Sequence, residues 1–170
     1  MDQMVTNFAV YEDATEYLGL AEVEFPEIGF LTEEISGAGM SGKIEAIVIG
    51  HLEAMTVTYS FNTVSDAAIK LTEPRVHNID CRVAQQLQDK RSGKVSQESV
   101  KHIMRTMPKK FKPGKGAIAT PAEASGEHAC YYYAMYKNGV RKIELDPVNF
   151  ICFINGVDYL EAVRRALGKG

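Results

Sequence analysis

The chain has 170 residues, 45% of them hydrophobic and 24% charged, with a formal net charge of −3. A globular chain of this size buries about 70% of its unfolded surface, so neither a disulfide framework nor a metal staple is needed to hold it. The opening MDQMVTNFAVYED has no basic region followed by an apolar run, and no segment approaches the roughly 20 apolar residues of a membrane helix, so the expected product is cytoplasmic, with no signal peptide and no membrane contact.

The dominant period is two. Val5, Asn7 and Ala9 alternate with Thr6, Phe8 and Val10 as a first strand, and residues 19–25 (GLAEVEF) set Ala21, Val23 and Phe25 against Leu20, Glu22 and Glu24. Residues 26–44 then break the pattern. This connection is too long for an ordinary turn, holds four of the fourteen glycines, and carries Ile28, Phe30, Leu31, Ile35 and Met40. Loops of this length inside compact domains are uncommon and usually functional. Its apolar content predicts a protruding arm that docks on another subunit.

Strand patterning resumes at 44–49 and again at 55–61 (MTVTYSF), where Val57, Tyr59 and Phe61 face one way and Thr56, Thr58 and Ser60 the other. Ser65 is placed to cap a short helix over 66–71 that must end before Pro74. Residues 78–87 and 99–107 read as a strand pair joined through the polar turn at 90–93. Residues 127–137 and 140–145 flank Asn138-Gly139, the strongest short hairpin signal. A last strand at 150–154 precedes a helix over 158–168, with Asp158 as N-cap, Glu161 three residues on, Leu160, Val163 and Leu167 on one face, and Gly168 as the stop. The sum is a single mainly β domain spanning 1–170: an antiparallel sandwich or barrel of seven to nine strands with one or two short helices and a long protruding loop.

Charge is unevenly spread. Residues 1–80 hold 14 acidic and 3 basic side chains (−11), and residues 81–170 hold 8 acidic and 16 basic (+8). Such asymmetry points to a charged partner, another copy of the chain included, unless folding interleaves the two halves. The run Lys109-Lys110-Phe111-Lys112-Pro113-Gly114-Lys115 reads as a solvated basic loop or as a docking loop for an acidic surface; a single aromatic is too few for a nucleic-acid stacking platform.

The chemical motifs fail on context. Gly37, Gly39 and Gly42 spell G-x-G-x-x-G, but a strand-like run follows where a dinucleotide fingerprint needs a helix N-terminus. Ser41 has Lys43 where a nucleophile elbow needs glycine. Cys81, Cys130 and Cys152 lie in apolar strand segments without metal or disulfide spacing and read as buried thiols. His51, His77, His102 and His128 are dispersed, and nothing points to catalysis or to a cofactor. The run Tyr131-Tyr132-Tyr133 leaves open a barrel that binds a small ligand or a nucleic acid, although alternation would set Tyr132 apart from its neighbours and favours packing.

One set of segments carries a resemblance. Asn7-Phe8, residues 18–23 (LGLAEV) and Pro26, residues 32–42 (TEEISGAGMSG), residues 50–56 (GHLEAMT), Asp66-Ala67 with Leu71 and Pro74, Pro108-Lys109-Lys110, Asn149-Phe150 and residues 155–160 (NGVDYL) resemble the major tail tube proteins of contractile-tailed bacteriophages. The likeness runs from about residue 4 to 168, and the arm and the NGVDYL block are its specific parts. It implies a β-sandwich or barrel similar in fold to the tube proteins of type VI secretion. It further implies a structural, non-enzymatic subunit that forms hexameric rings stacked head to tail into a hollow tube. The implied partners are other copies of itself, the contractile sheath, the tape measure, the baseplate and a tail terminator, with DNA passing through the lumen without specific binding. The implied location is a virion tail, or the tail-like particle of a headless bacteriocin, assembled in the host cytoplasm. The inter-subunit arm would comprise Phe30, Leu31, Thr32, Glu33, Glu34, Ile35, Ser36, Gly37, Ala38, Gly39, Met40, Ser41 and Gly42, and the candidate docking loop Lys109, Lys110, Lys112 and Lys115.

Overall fold

The computed structural model describes residues 2–13, 16–19 and 22–169. The strands and helices run β1 (Asp2–Glu12), β2 (Glu16–Tyr17), β3 (Glu22–Glu24), β4 (Phe30–Ile35), β5 (Ile44–Leu52), β6 (Met55–Phe61), α1 (Asp66–Lys70), β7 (His77–Gln88), β8 (Val95–Lys112), β9 (Ala124–Lys137), β10 (Val140–Asp146), β11 (Ile151–Ile154), β12 (Val157–Asp158) and α2 (Glu161–Ala166). All pairings are antiparallel, as the alternation predicts.

The main sheet runs β12-β11-β10-β9-β8-β7-β1-β2 and branches at β9. One edge of β9 is shared: its first half pairs with β6 (Ala124↔Phe61 to Cys130↔Met55) and its second half with β10 (Tyr133↔Leu145 to Lys137↔Val140). β3 adds to the far side of β6. The branched sheet wraps one apolar core that includes Val10, Val57, Tyr59, Ile79, Cys81, Met104, Tyr133, Leu145 and Leu160. β6 shows why: Met55, Val57, Tyr59 and Phe61 are buried while the intervening Thr56, Thr58 and Ser60 are half-buried.

Several predicted elements are present at nearly the predicted places. Ser65 Oγ accepts the Ala68 N–H at 3.2 Å and caps α1. Lys137 and Val140 pair across Asn138 (φ 50°) and Gly139 (φ 78°), the two left-handed residues of a tight hairpin turn. The three cysteines are buried and unbridged.

Four readings need correction. The connection 26–44 is not an irregular loop: β4 pairs with β5 in a two-stranded sheet of its own, Ile35↔Ile44 to Phe30↔Leu52. Alternation is absent there because neither face lies on the core, so nothing selects one face as apolar. The expected strand 19–25 shrinks to β3, with residues 20 and 21 outside the described residues. β8 extends five residues past Met107 and takes in Lys109, Lys110 and Lys112, with an irregularity at Pro108, which has no N–H to give the ladder. Finally, α2 begins at Glu161, and Asp158 is not its N-cap; Asp158 pairs with Phe153 in β12, and its Oδ1 accepts the Leu160 N–H at 3.1 Å. Val163 and Leu167 are consequently exposed, and Leu160 alone of that predicted face is buried.

Candidate assembly interface

The arm is a hairpin standing off the core. From Leu31 to Ile35 and from Ile44 to Glu45 every side chain is exposed, as are Ile47, Val48 and Ile49. Ile47 and Ile49 are 60% and 67% exposed, extreme values for isoleucine in a strand. A lone two-stranded hairpin is marginal in water and needs a cover. Glu34 and Glu45 sit directly opposite each other, a repulsive pair that Lys43, 3.1 Å from Glu34, offsets in part. Ser36 to Lys43 form the tip, where Met40 N donates to Gly37 O at 3.2 Å. Of the three tip glycines only Gly39 has positive φ (91°), and a Cβ on any of them would meet open space. The G-x-G-x-x-G run is therefore a hairpin tip leading into β5, not a phosphate cradle.

The root of the arm is fixed. Glu53 N donates to Gly29 O at 2.8 Å, and Gly50 abuts the buried Leu160 ahead of α2. Between the arm and β11 lies an apolar groove of about 310 Å³ lined by Phe30, Ile47, Ile49, Cys152, Ile154 and Tyr159.

The basic segment is mostly strand. Lys109 and Lys110 flank Glu127 at 3.6 and 3.3 Å, and Lys110 first, then Lys109, hold its carboxyl below the usual carboxylate range. Lys115 lies in the following loop, 3.2 Å from Glu123. Only Lys112 and Lys115 thus belong at or beyond the end of the strand. The structure brings neither arm nor basic segment to the other: the arm joins β6 at Met55, level with Cys130, whereas the basic segment ends at Lys112, level with Ser125.

The cavity in the core beside α1 is too small for a ligand. It lies beside His128, is also lined by Tyr59, Leu71 and Phe111, and has about 10 Å³, at most one water. The tyrosine run does not alternate as expected, because a bulge lets β8 step from Arg105↔Tyr132 to Thr106↔Cys130 and skip Tyr131. Tyr133 turns inward with its hydroxyl 2.7 Å from His102 Nδ1, Tyr131 is exposed, and Tyr132 lies under the Arg105 guanidinium at 4.6 Å.

A polar cluster went unrecognised in the sequence. The fully buried Glu12 accepts Arg75 Nη2 and faces His77 Nδ1, both at 2.7 Å, with Lys70 4.0 Å away. His77 Nε2 lies 2.9 Å from the Glu73 carbonyl, and His128 Nδ1 lies 3.0 Å from Thr106 Oγ1. Desolvation pushes His102 and His128 down to about 4. These groups are locked to one another and none reaches a cleft able to admit substrate. No set of three or more His, Cys, Asp or Glu among the described residues is arranged to hold a metal.

Three comparisons bear on this geometry. A family model described as phage tail tube protein FII matches residues 2–168. The tail tube protein of Escherichia phage P2 is 27% identical over 162 residues, covering 94% of this chain and 93% of its own. Among solved structures, a chain from the cryo-EM structure of an extracellular contractile injection system (PVC sheath/tube terminator, extended state) is similar with a TM-score of 0.52 at 12% identity, over 78% of this chain and 95% of that one. That likeness is one of fold.

Proposed function

The chain belongs to the phage tail tube protein FII family, and on that premise we propose that it forms hexameric rings that stack head to tail into the hollow inner tube of a contractile tail. It is a structural tail tube protein of a contractile phage or phage-like injection system, and its family is not one of enzymes. We infer further that each copy is one tail-tube domain, that a sheath surrounds the tube, that a tape measure, baseplate and terminator are further partners, that DNA is the cargo, and that assembly takes place in the host cytoplasm.

The arm carries this reading. Its exposed isoleucines and valine lie on a hairpin that has no core of its own, and a stacked copy would give it one. A heterologous contact that does not close generates a filament, and it requires two unlike faces on one subunit. Here the acidic arm and the basic end of β8 are those faces. A lumen that must release DNA is best left neutral or acidic, since phosphate contacts hold cargo in a salt-dependent way.

The test is a shortened arm. Thr32 pairs with Ile47, so replacing residues 33–46 by Asn-Gly closes a shorter hairpin without leaving an unpaired strand. The expected product is a folded protein with the parental circular dichroism spectrum and no tubes by negative-stain microscopy. Tubes from the shortened chain would remove the arm from the mechanism.

A further inference from the structure

We propose that Ile118, at the tip of the loop between β8 and β9, is a plug that enters the groove between the arm and β11 of the next copy in the stack. The proposal rests on the tube reading above and names the receiving surface. Ile118 is 98% exposed, the most exposed large apolar side chain among the described residues. An isoleucine held fully in water on a loose loop would be unremarkable, but this loop is held. Its neck is closed by Lys115 N donating to Ala122 O at 2.8 Å, and Gly114 passes so near that a Cβ there would lie 1.9 Å from the same oxygen. Thr120 Oγ1 donates to Ala117 O at 3.1 Å across the tip, and Ala119 takes positive φ (58°). The side chain is therefore presented on a preformed knuckle, which lowers the ordering cost of docking.

Plug and groove are far apart within one protomer, the loop at one end of the sheet and the groove level with the middle of β8. The loop leaves β8 at Lys112 and enters β9 at Ala124. The groove residue Ile154 is level with Ile143 and, through it, with Met135. Ala124 and Met135 are separated by roughly 36 Å of strand at about 3.3 Å per residue. Within one copy the two cannot meet, whereas head-to-tail stacking brings the loop end of one copy to the arm end of the next. Charge agrees with that pairing: residues 109–127 carry four lysines against two glutamates, and residues 30–52 carry three glutamates against one lysine. The apolar lining of the groove, with Ile47, Ile49 and Ile154 around it, suits a branched aliphatic tip.

The test uses the full chain bearing Ile118→Cys together with Ile49→Cys, both exposed positions, assembled and then treated with a mild oxidant. The natural thiols are buried, and Cys152, which lines the groove, is replaced by alanine in every chain tested so that only the introduced pair can join. A disulfide needs Cα atoms within about 7 Å, so the new pair can join only different copies. The expected result is a ladder of dimers, trimers and longer chains on a non-reducing gel, absent from either single variant. Tubes that give no ladder overturn the plug while the tube reading stands. As a second variant, Ile118→Asp is expected to keep the parental melting temperature and lose tubes; parental tube yield would overturn the plug. A parental chain that forms no tubes at any protein concentration or ionic strength would overturn both.

Discussion

Leu160 fills the space beside Gly50 where a side chain would begin: a Cβ on Gly50 would lie 2.3 Å from Leu160 Cδ2 and 2.6 Å from Cγ. Gly50 also takes φ +77°, a conformation strained for any other residue. The contact ties the root of the arm to the segment leading into α2, so the direction of the arm is set by the C-terminal end of the chain. Gly50→Ala is expected to destabilise by about 2–3 kcal/mol, from left-handed strain plus overpacking. Leu160→Ala opens the space and should lose about 2–5 kcal/mol by itself. In the double variant the clash is gone, so urea midpoints should reveal a coupling of about 1 kcal/mol or more. Strict additivity would mean that the arm root moves freely away from Leu160.

What the sequence revealed divides along the same line. Strands with one face on the core, such as β6, alternate and could be read residue by residue. The arm could be located by its glycines and its apolar content but not recognised as a hairpin, because its side chains are mostly exposed on both faces and no alternation marks its strands. Ile118 gave no signal, since a single isoleucine between Ala117 and Ala119 has no period; only its exposure on a closed loop marks it. Glu12 was hidden for another reason. Its partners Arg75 and His77 are more than sixty residues away, and one acidic residue ending a strand looks solvated. The charge asymmetry was legible as a total, yet pairs such as Asp80 with Lys101 show that folding interleaves part of it.

The Glu12 cluster should behave as a structural lock. Removing one member of a buried charged set strands the others, and such losses run to about 3–5 kcal/mol. Glu12→Ala is expected to fall in that range by denaturant titration, with Glu12→Gln intermediate because it keeps one acceptor oxygen for Arg75 or His77. A loss under about 1 kcal/mol for Glu12→Ala would show that water readily replaces the carboxylate.

The thiols should be silent in the native protein. Burial pushes Cys81 and Cys130 up to about 12, with Asp80 adding to the effect at Cys81, and burial also raises Cys152. Thiolate, the reactive form, is therefore scarce near neutral pH. Reaction with a chromogenic disulfide reagent at about pH 8 is expected to be negligible in buffer and to count all three cysteines in strong denaturant. Rapid labelling of one thiol in the native state would indicate that its strand opens locally.

Acid should weaken the fold well before the carboxylates titrate. His102 stacks on Phe25 at 3.9 Å and meets Tyr133, while His128 packs edge-on against Tyr59, faces Thr106, and lies 5.7 Å from His77. Desolvation lowers both rings from the ordinary 6.5 to about 4, and at His128 the nearby His77 adds to it. Between those values the unfolded chain takes up protons that the folded chain refuses. Stability is therefore complete above about 6.5 and declines as the pH falls toward 4. The slope is at most about 1.4 kcal/mol per pH unit for each ring. Arg164 holds Asp158, and Lys110 with Lys109 holds Glu127, below the usual carboxylate range, so their losses are confined to more acid solution. Melting temperatures measured between about pH 7 and 5 should therefore fall, and His102→Phe should flatten the slope by about half while lowering the plateau, because the Tyr133 hydroxyl loses its partner. A parental curve that is level across that interval would mean that both rings take up protons in the fold as readily as in the open chain, and that the core around them admits water.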